Sequence, residues 1–172
     1  MPILDTVLNW TPISRIRRNH ALEHATLQIL ARHVANLAAA GYSDTNGFWI
    51  IGQVPTEALE QAVTEAVARL RAGEFNLAIH PNCGTNFVAA GAIAGALSWL
   101  AMVFNPGGIR RNLQRLPMLI SLSTIGIILA QPVGPFLQAK FTVNPAIGAL
   151  KVTEIARVQR TDGIVHRVRT AN

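Results

Sequence analysis

The sequence predicts an α+β membrane protein, and three observations carry that prediction. Half of the 172 residues are apolar and only 14% are charged. Two long stretches hold no Asp, Glu, Lys or Arg: Phe75 to Ile109 and Leu116 to Ala139. Around them lie an amphipathic helical pattern and several short β-like runs. The mean hydropathy of +0.30 is high for a small water-soluble chain. The single cysteine excludes an internal disulfide framework, and with it any site that needs two thiolates from one chain.

Taken in order, the elements divide into three parts. Residues 1–84 read as a long N-terminal helix and a β-α-β unit, 85–137 as a two-helix transmembrane hairpin, and 138–172 as a C-terminal β-hairpin packing on the N-terminal unit. Thr11-Pro12 is a helix start, with Thr11 at the N-cap and Pro12 at N1, and the helix is expected to run to about Ala40 and stop at Gly41. Ser43–Gly47 is a turn cluster and Phe48–Val54 a strand. From Thr56 to Ala72, Leu59, Val63, Ala66, Val67 and Leu70 make one helical stripe, closed by Gly73. Phe75, Leu77 and Ile79 alternate as on a strand that ends at His80.

The first span, Thr85 to Phe104, is 20 residues long, which as a helix gives about 30 Å, the thickness of the hydrocarbon core. Thr85 or Asn86 is expected to cap it. Its Gly91-x-x-x-Gly95 is expected to pack on the second span, Pro117 to Leu137. Gln131-Pro132 and Pro135 interrupt that second span near its end, where a buried glutamine needs a partner. After the hairpin, Lys151–Val158 and Ile164–Arg169 flank the turn Thr161-Asp162-Gly163.

Charge supports a lipid bilayer as the partner. The net charge is +6, and the excess flanks the apolar spans: Arg110, Arg111 and Arg115 at the hairpin tip, and six Lys/Arg against Glu154 and Asp162 in 138–172. Aromatics make up only 6%, and no nucleic-acid module is visible, so nucleic acid is not expected as a partner. No charge lies inside either span, which argues against a channel or transporter. No cleavable signal pattern precedes the near-neutral first 84 residues. The expected location is therefore the cytoplasmic (inner) membrane, both termini inside, although the tip arginines oppose that by the positive-inside rule. Other membrane proteins are possible partners.

The chemistry is concentrated in His20-Ala21-Leu22-Glu23-His24. In this H-x-x-E-H pattern, positions i, i+3 and i+4 share one helix face. Two imidazoles one turn apart can bind one zinc ion, and the carboxylate beside them can polarise a metal-bound water. Ile13, Ile16, Leu27, Ala31 and Val34 fall on the same side, so three ionisable groups interrupt an apolar stripe and need partners. A metal is one such partner, and a His–Glu hydrogen-bond network is the other. The opposite face carries Leu22 and Ile29, so the helix is either buried on two sides or lies on a membrane surface. His80-Pro81-Asn82-Cys83-Gly84 offers a second His and a thiolate at a spacing that can reach one ion, and this donor set suits zinc or another divalent transition metal. His33 reads as a surface residue, and His166 as a solvated strand residue.

The pair HALEHA and HPNCGTN, the second running into a membrane span, resembles the YqhQ-like bacterial membrane proteins, which are regarded as metal-dependent enzymes. That resemblance implies a shared site of His20, Glu23, His24, His80 and Cys83, and names no substrate. GFWIIGQVPTEAL and LAIHPNCGTN are also similar to a domain-of-unknown-function family of small membrane proteins from phototrophic bacteria. The chain departs from inverzincin proteases, being much shorter and having only Glu154, on an expected strand, as a distal carboxylate. The expected function is a membrane-embedded, zinc-dependent enzyme, a hydrolase acting at the membrane surface. His20, His24 and one or both of His80 and Cys83 would be its ligands, and Glu23 either a ligand or the general base; all four ligands together would close the site and make it structural. The alternative is a non-enzymatic assembly factor or small subunit with a structural metal or a His–Glu network.

Overall fold

A computed structural model describes residues 2–104, 107–160 and 163–171, with the side chains of 2, 159, 160 and 163 left aside. The chain is mixed α+β with a four-stranded antiparallel sheet of order β1-β2-β4-β3. It divides into two compact units, Met1–His80 with Ala139–Asn172, and Pro81–Gln138.

The first unit begins with two helices, α1 (Pro2–Asn9) and α2 (Thr11–His33). Trp10 is the N-cap of α2 and Pro12 lies in its first turn, where a missing N–H costs nothing. The helix stops well short of the expected Ala40. Val34 is already extended and Asn36 takes a left-handed φ of 54°. The alanine-rich segment that follows becomes strand β1 (Ala39–Asp44), paired with β2 (Gly47–Gly52). Strand pairing there overrides helix propensity. Helix α3 (Thr56–Arg71) follows the expected stripe and buries Leu59, Ala62, Val63, Ala66 and Leu70.

Phe75–Ala78 is a 3₁₀ turn, not the expected strand, so the unit is a β-hairpin followed by a helix rather than β-α-β. Strands β3 (Lys151–Arg160) and β4 (Gly163–Ala171) form the C-terminal hairpin, and β4 pairs with β2. Thr161 and Asp162 of its expected turn lie outside the described residues. One sheet face, with Phe48, Ile50 and Val168, closes a core with Leu22, Ala25, Ile29 and Leu30 of α2 and the buried stripe of α3. Burial of this kind, about 1.5–3 kcal/mol per large side chain, holds the unit together.

In the second unit, α4 (Gly84–Val103) and α6 (Leu116–Ala130) pack together, separated by α5 (Ile109–Gln114). Ser98 and Ser123 share a hydrogen bond of 2.8 Å between the two helices. A Cβ on Gly126 would come within 2.6 Å of Ala94 Cα, so the seam runs through Ala94, Ser98, Ser123 and Gly126. Gly91 and Gly95 face open space instead; the expected packing of that motif on the second span is one residue out of register with the real seam.

The chain breaks at Gln131–Pro132 into α7 (Val133–Leu137) and a π turn (Gln138–Thr142). The buried glutamine is Gln138, which donates to Asn86 Oδ1 at 2.6 Å, while Gln131 is exposed. Among the described residues, α4 alone is long and apolar enough to cross a membrane unaided. α6 with Val133–Thr142 qualifies only as one span bent by 46°.

Candidate functional site

The middle of α2 is buried all round, from Ala21 to Leu27. This resolves its two apolar faces in favour of burial. Such a helix can carry polar side chains only if each finds a partner. Two of those partners are main-chain carbonyls from distant segments. His20 Nδ1 lies 3.0 Å from Thr142 O, and His24 Nδ1 lies 2.6 Å from Ala78 O. A carbonyl oxygen only accepts, so each Nδ1 carries the proton and donates it. Nε2 is then the nitrogen with the lone pair in each neutral ring.

Both carbonyls are themselves held by α2. Arg17 donates through Nη2 to Lys140 O and Val143 O, each at 3.1 Å, on either side of Thr142. Gln28 Nε2 donates to Leu77 O at 2.8 Å and Ile79 O at 2.9 Å, on either side of Ala78. Positions 17, 20, 24 and 28 form one stripe at spacings of three, four and four. One helix face therefore grips two backbone segments and uses each to fix a histidine. Burial lowers the Arg17 pKa from its usual value, and its Nε is buried without a hydrogen-bond partner.

The two rings are close. Their centroids are 4.2 Å apart, and a ring nitrogen of one lies within 4.8 Å of a ring nitrogen of the other. The His80 ring centroid is 5.4 Å from that of His24. His20, His24 and His80 thus gather in the first unit.

Glu23 reaches β1. It is 4% exposed, and Ser43 Oγ donates to its Oε2 at 2.5 Å. Gly41 lies two residues before Ser43 on the same strand face. A Cβ there would come within 2.5 Å of Glu23 Cδ, so only glycine leaves room for the carboxylate. Gly41 and Ser43 are therefore the seat of Glu23, where the sequence suggested a helix stop and a turn.

Cys83 belongs to the second unit. It is the N-cap of α4, with an extended backbone, and its Sγ contacts Thr85 Oγ1 at 3.5 Å. Neither Thr85 nor Asn86 caps α4; the Asn86 side chain instead donates to Pro81 O at 2.6 Å and receives Gln138. Three peptide units separate Cys83 from His80, which limits their Cα separation to about 11 Å by covalent reach alone.

The remaining histidines are elsewhere. His33 is exposed beside Glu65, at 3.6 Å. His166 is not solvated: it is fully buried, with Nε2 3.0 Å from Thr56 Oγ1 and Nδ1 unpaired. Burial, then the charge of Arg157, lower its pKa. Glu154 is exposed and pairs with Arg169 at 3.1 Å.

Three groups escaped sequence reading altogether. They are Arg17, Gln28 and a polar network in which Thr170 Oγ1 donates to Asn19 Oδ1 at 2.7 Å and Asn19 Nδ2 donates to Asp44 O at 2.8 Å. Asp44 also accepts two bonds of 2.8 Å from Arg167, which sits over the Trp49 ring. Burial raises the Asp44 pKa, but Arg167 and the Asn46 N–H outweigh it and hold the group below its ordinary value. The stripe spacing could have revealed Arg17 and Gln28; the network carries no local signal.

Fold and site together define a mixed α+β protein built around a buried histidine-bearing helix. The chain belongs to the family described as a domain of unknown function, DUF6391, whose sequence profile matches residues 15–155. It is 39% identical to an uncharacterised protein of Picosynechococcus sp. over an alignment of 112 residues, covering 56% of this chain and 54% of the relative. The chain thus spans about half the length of that relative. No solved structure matches it.

Proposed function

We propose that the protein is a membrane-inserted metalloprotein that binds zinc through His20 and His24 and acts as a hydrolytic enzyme. One observation carries the metal: both Nδ1–H groups are committed to main-chain carbonyls, so the two Nε2 atoms are the ligand nitrogens of neighbouring rings. Metal-ligating histidines are ordinarily oriented in this way. Two imidazoles and a thiolate form a donor set suited to zinc. One of His80 and Cys83 is the proposed third ligand of the enzyme, which leaves a position open, with Cys83 a candidate on the strength of its short tether to His80; both together would close the site. Bound zinc would supply Lewis acidity to a substrate or a water. Glu23, held by Ser43, is the proposed general base, and the H-x-x-E-H pattern and the YqhQ-like resemblance support this assignment.

The membrane reading rests on the second unit. α4 is about 30 Å long at 1.5 Å per residue, and only Ala89 and Ala94 of it are buried. Phe87, Val88 and Trp99 on α4, and Ile120, Ile127 and Leu129 on α6, are exposed. Helices apolar all round and bare of cover need an apolar solvent.

One observation favours a second reading, a closed structural metal. The Glu23 carboxylate is anchored on β1, as a purely architectural group would be. Elemental analysis of detergent-purified protein tests the site. We expect about one zinc per chain, lost in His20→Ala/His24→Ala; full occupancy in that double variant overturns the assignment. With the metal kept, loss of hydrolysis in Glu23→Gln supports the enzyme, while a Glu23→Gln variant that alters stability alone supports the scaffold.

A further inference from the structure

Helix α1 leaves an apolar stripe in the open. On a helical wheel Ile3 and Val7 lie together with Asp5 and Asn9 across from them, and Trp10 follows directly as the extended N-cap of α2. The three apolar residues are exposed, Ile3 at 80% and Trp10 at 63%. Leu8, on the other flank of the apolar arc, is half-buried. A free helix of eight residues would not persist in water by propensity alone, so α1 needs both its contact with α2 and cover for the stripe.

The occupant is indicated by where α1 is held. Arg17 Nη1 reaches Leu8 O at 3.4 Å while Nη2 binds Lys140 O and Val143 O. One half-buried guanidinium thereby ties the end of α1 to the stretch of chain that begins two residues past Gln138, the last residue of the apolar unit. The same stretch exposes Phe141 beside Lys140. Trp and Phe mixed with Lys and Arg form the composition of a membrane–water boundary, where aromatic rings sit at headgroup level and basic groups meet lipid phosphates. Arg15 and Arg18 add positive charge on the adjoining turn of α2.

We propose that α1, together with the Trp10 that follows it, is an in-plane anchor whose exposed Ile3, Val7 and Trp10 lie in the interfacial layer of a lipid bilayer. The proposal rests on the reading of the second unit as membrane-inserted. An amphipathic helix of this kind sinks its apolar face about 5–10 Å into the headgroup and acyl boundary. The anchor would hold the first unit, and the histidines of α2 with it, against the bilayer surface.

The three tryptophans allow each part to be tested separately. Trp10 directly follows α1, Trp49 is on the sheet and Trp99 on α4. Single-tryptophan proteins (W49F/W99F, W10F/W99F and W10F/W49F) are reconstituted in phosphatidylcholine–phosphatidylglycerol bilayers carrying bromine either near the headgroup or deep in the acyl chains. We expect Trp10 to lose more emission to shallow bromine than to deep bromine, Trp99 to be quenched, and Trp49 to keep its emission in both. Trp10 as unquenched as Trp49, with Trp99 quenched, overturns the anchor and leaves the hairpin standing. That outcome would also arise if a second copy covered α1. Trp99 unquenched overturns the membrane reading and the anchor with it. If phenylalanine at 49 unsettles the sheet, Trp49→Tyr supplies the same arms.

Discussion

Helices α2 and α4 are of similar length and opposite character. α2 carries arginines, histidines, a glutamate and a glutamine, yet its middle is buried all round. α4 has no charged residue, and only Ala89 and Ala94 of it are buried. In water both arrangements would be unfavourable: buried polar groups lose hydration, and exposed apolar ones order it. α2 solves its problem internally: Asn19, His20, Glu23, His24, Thr26 and Gln28 each have a hydrogen-bond partner within the first unit. α4 does not: its neighbours α6 and α7 leave all but Ala89 and Ala94 at least partly exposed. The contrast teaches that hydropathy alone does not say which helix is inside. What decides is whether the rest of the chain offers the right partners.

The most severe way to break the α2 side of this comparison is to fill the seat of Glu23. Gly41→Val places a side chain where the carboxylate lies, and we expect a loss of about 3 kcal/mol, the upper end for overpacking. Chemical denaturation measures it. In a Glu23→Ala background the same substitution should cost much less, because the space is vacated. Additive costs would mean that Gly41 and Glu23 are not coupled as their geometry requires.

The extent to which sequence revealed this molecule follows the same division. α3 was legible because Leu59, Val63, Ala66 and Leu70 repeat with the helical period. The apolar pair was legible because no charge interrupts it. β1 was not, since Ala38–Ala40 favour a helix locally and become strand only by pairing with β2. Phe75, Leu77 and Ile79 alternate like a strand, but the carbonyls of Leu77 and Ile79 are taken by Gln28 and that of Ala78 by His24. α1 went unread because eight residues carry too short a period. At the site, H-x-x-E-H marked His20, Glu23 and His24 at once. Thr142 O and Ala78 O could not be marked, because a backbone acceptor has no side-chain signature.

Those unmarked acceptors lead to the next prediction. Gln28→Leu removes the grip on Leu77 O and Ile79 O but no ligand. If His24 is a metal ligand set by Ala78 O, zinc affinity should fall by about 10–100-fold, with one zinc still bound at saturation. Competition with a chromophoric chelator reads this directly. Unchanged affinity would show that the segment holds its place without α2 and that the stripe is only packing.

The smallest expected effect sharpens the α4 side. Gly126 and Gly91 are both glycines in apolar helices, but only Gly126 lies on the seam, where a Cβ would meet Ala94 Cα at 2.6 Å. Gly126→Val should therefore cost about 1 kcal/mol, the lower end for overpacking, since two helices in a fluid solvent can shift to admit it. Gly91→Val should cost within about 0.5 kcal/mol, as at an uncommitted surface position. Thermal unfolding in detergent, side by side, measures both. Equal costs would place Gly91 against a neighbour as well. The order expected here would mean that Ala94, Ser98, Ser123 and Gly126 alone hold the pair together, leaving the Gly91 and Gly95 face to the surrounding solvent.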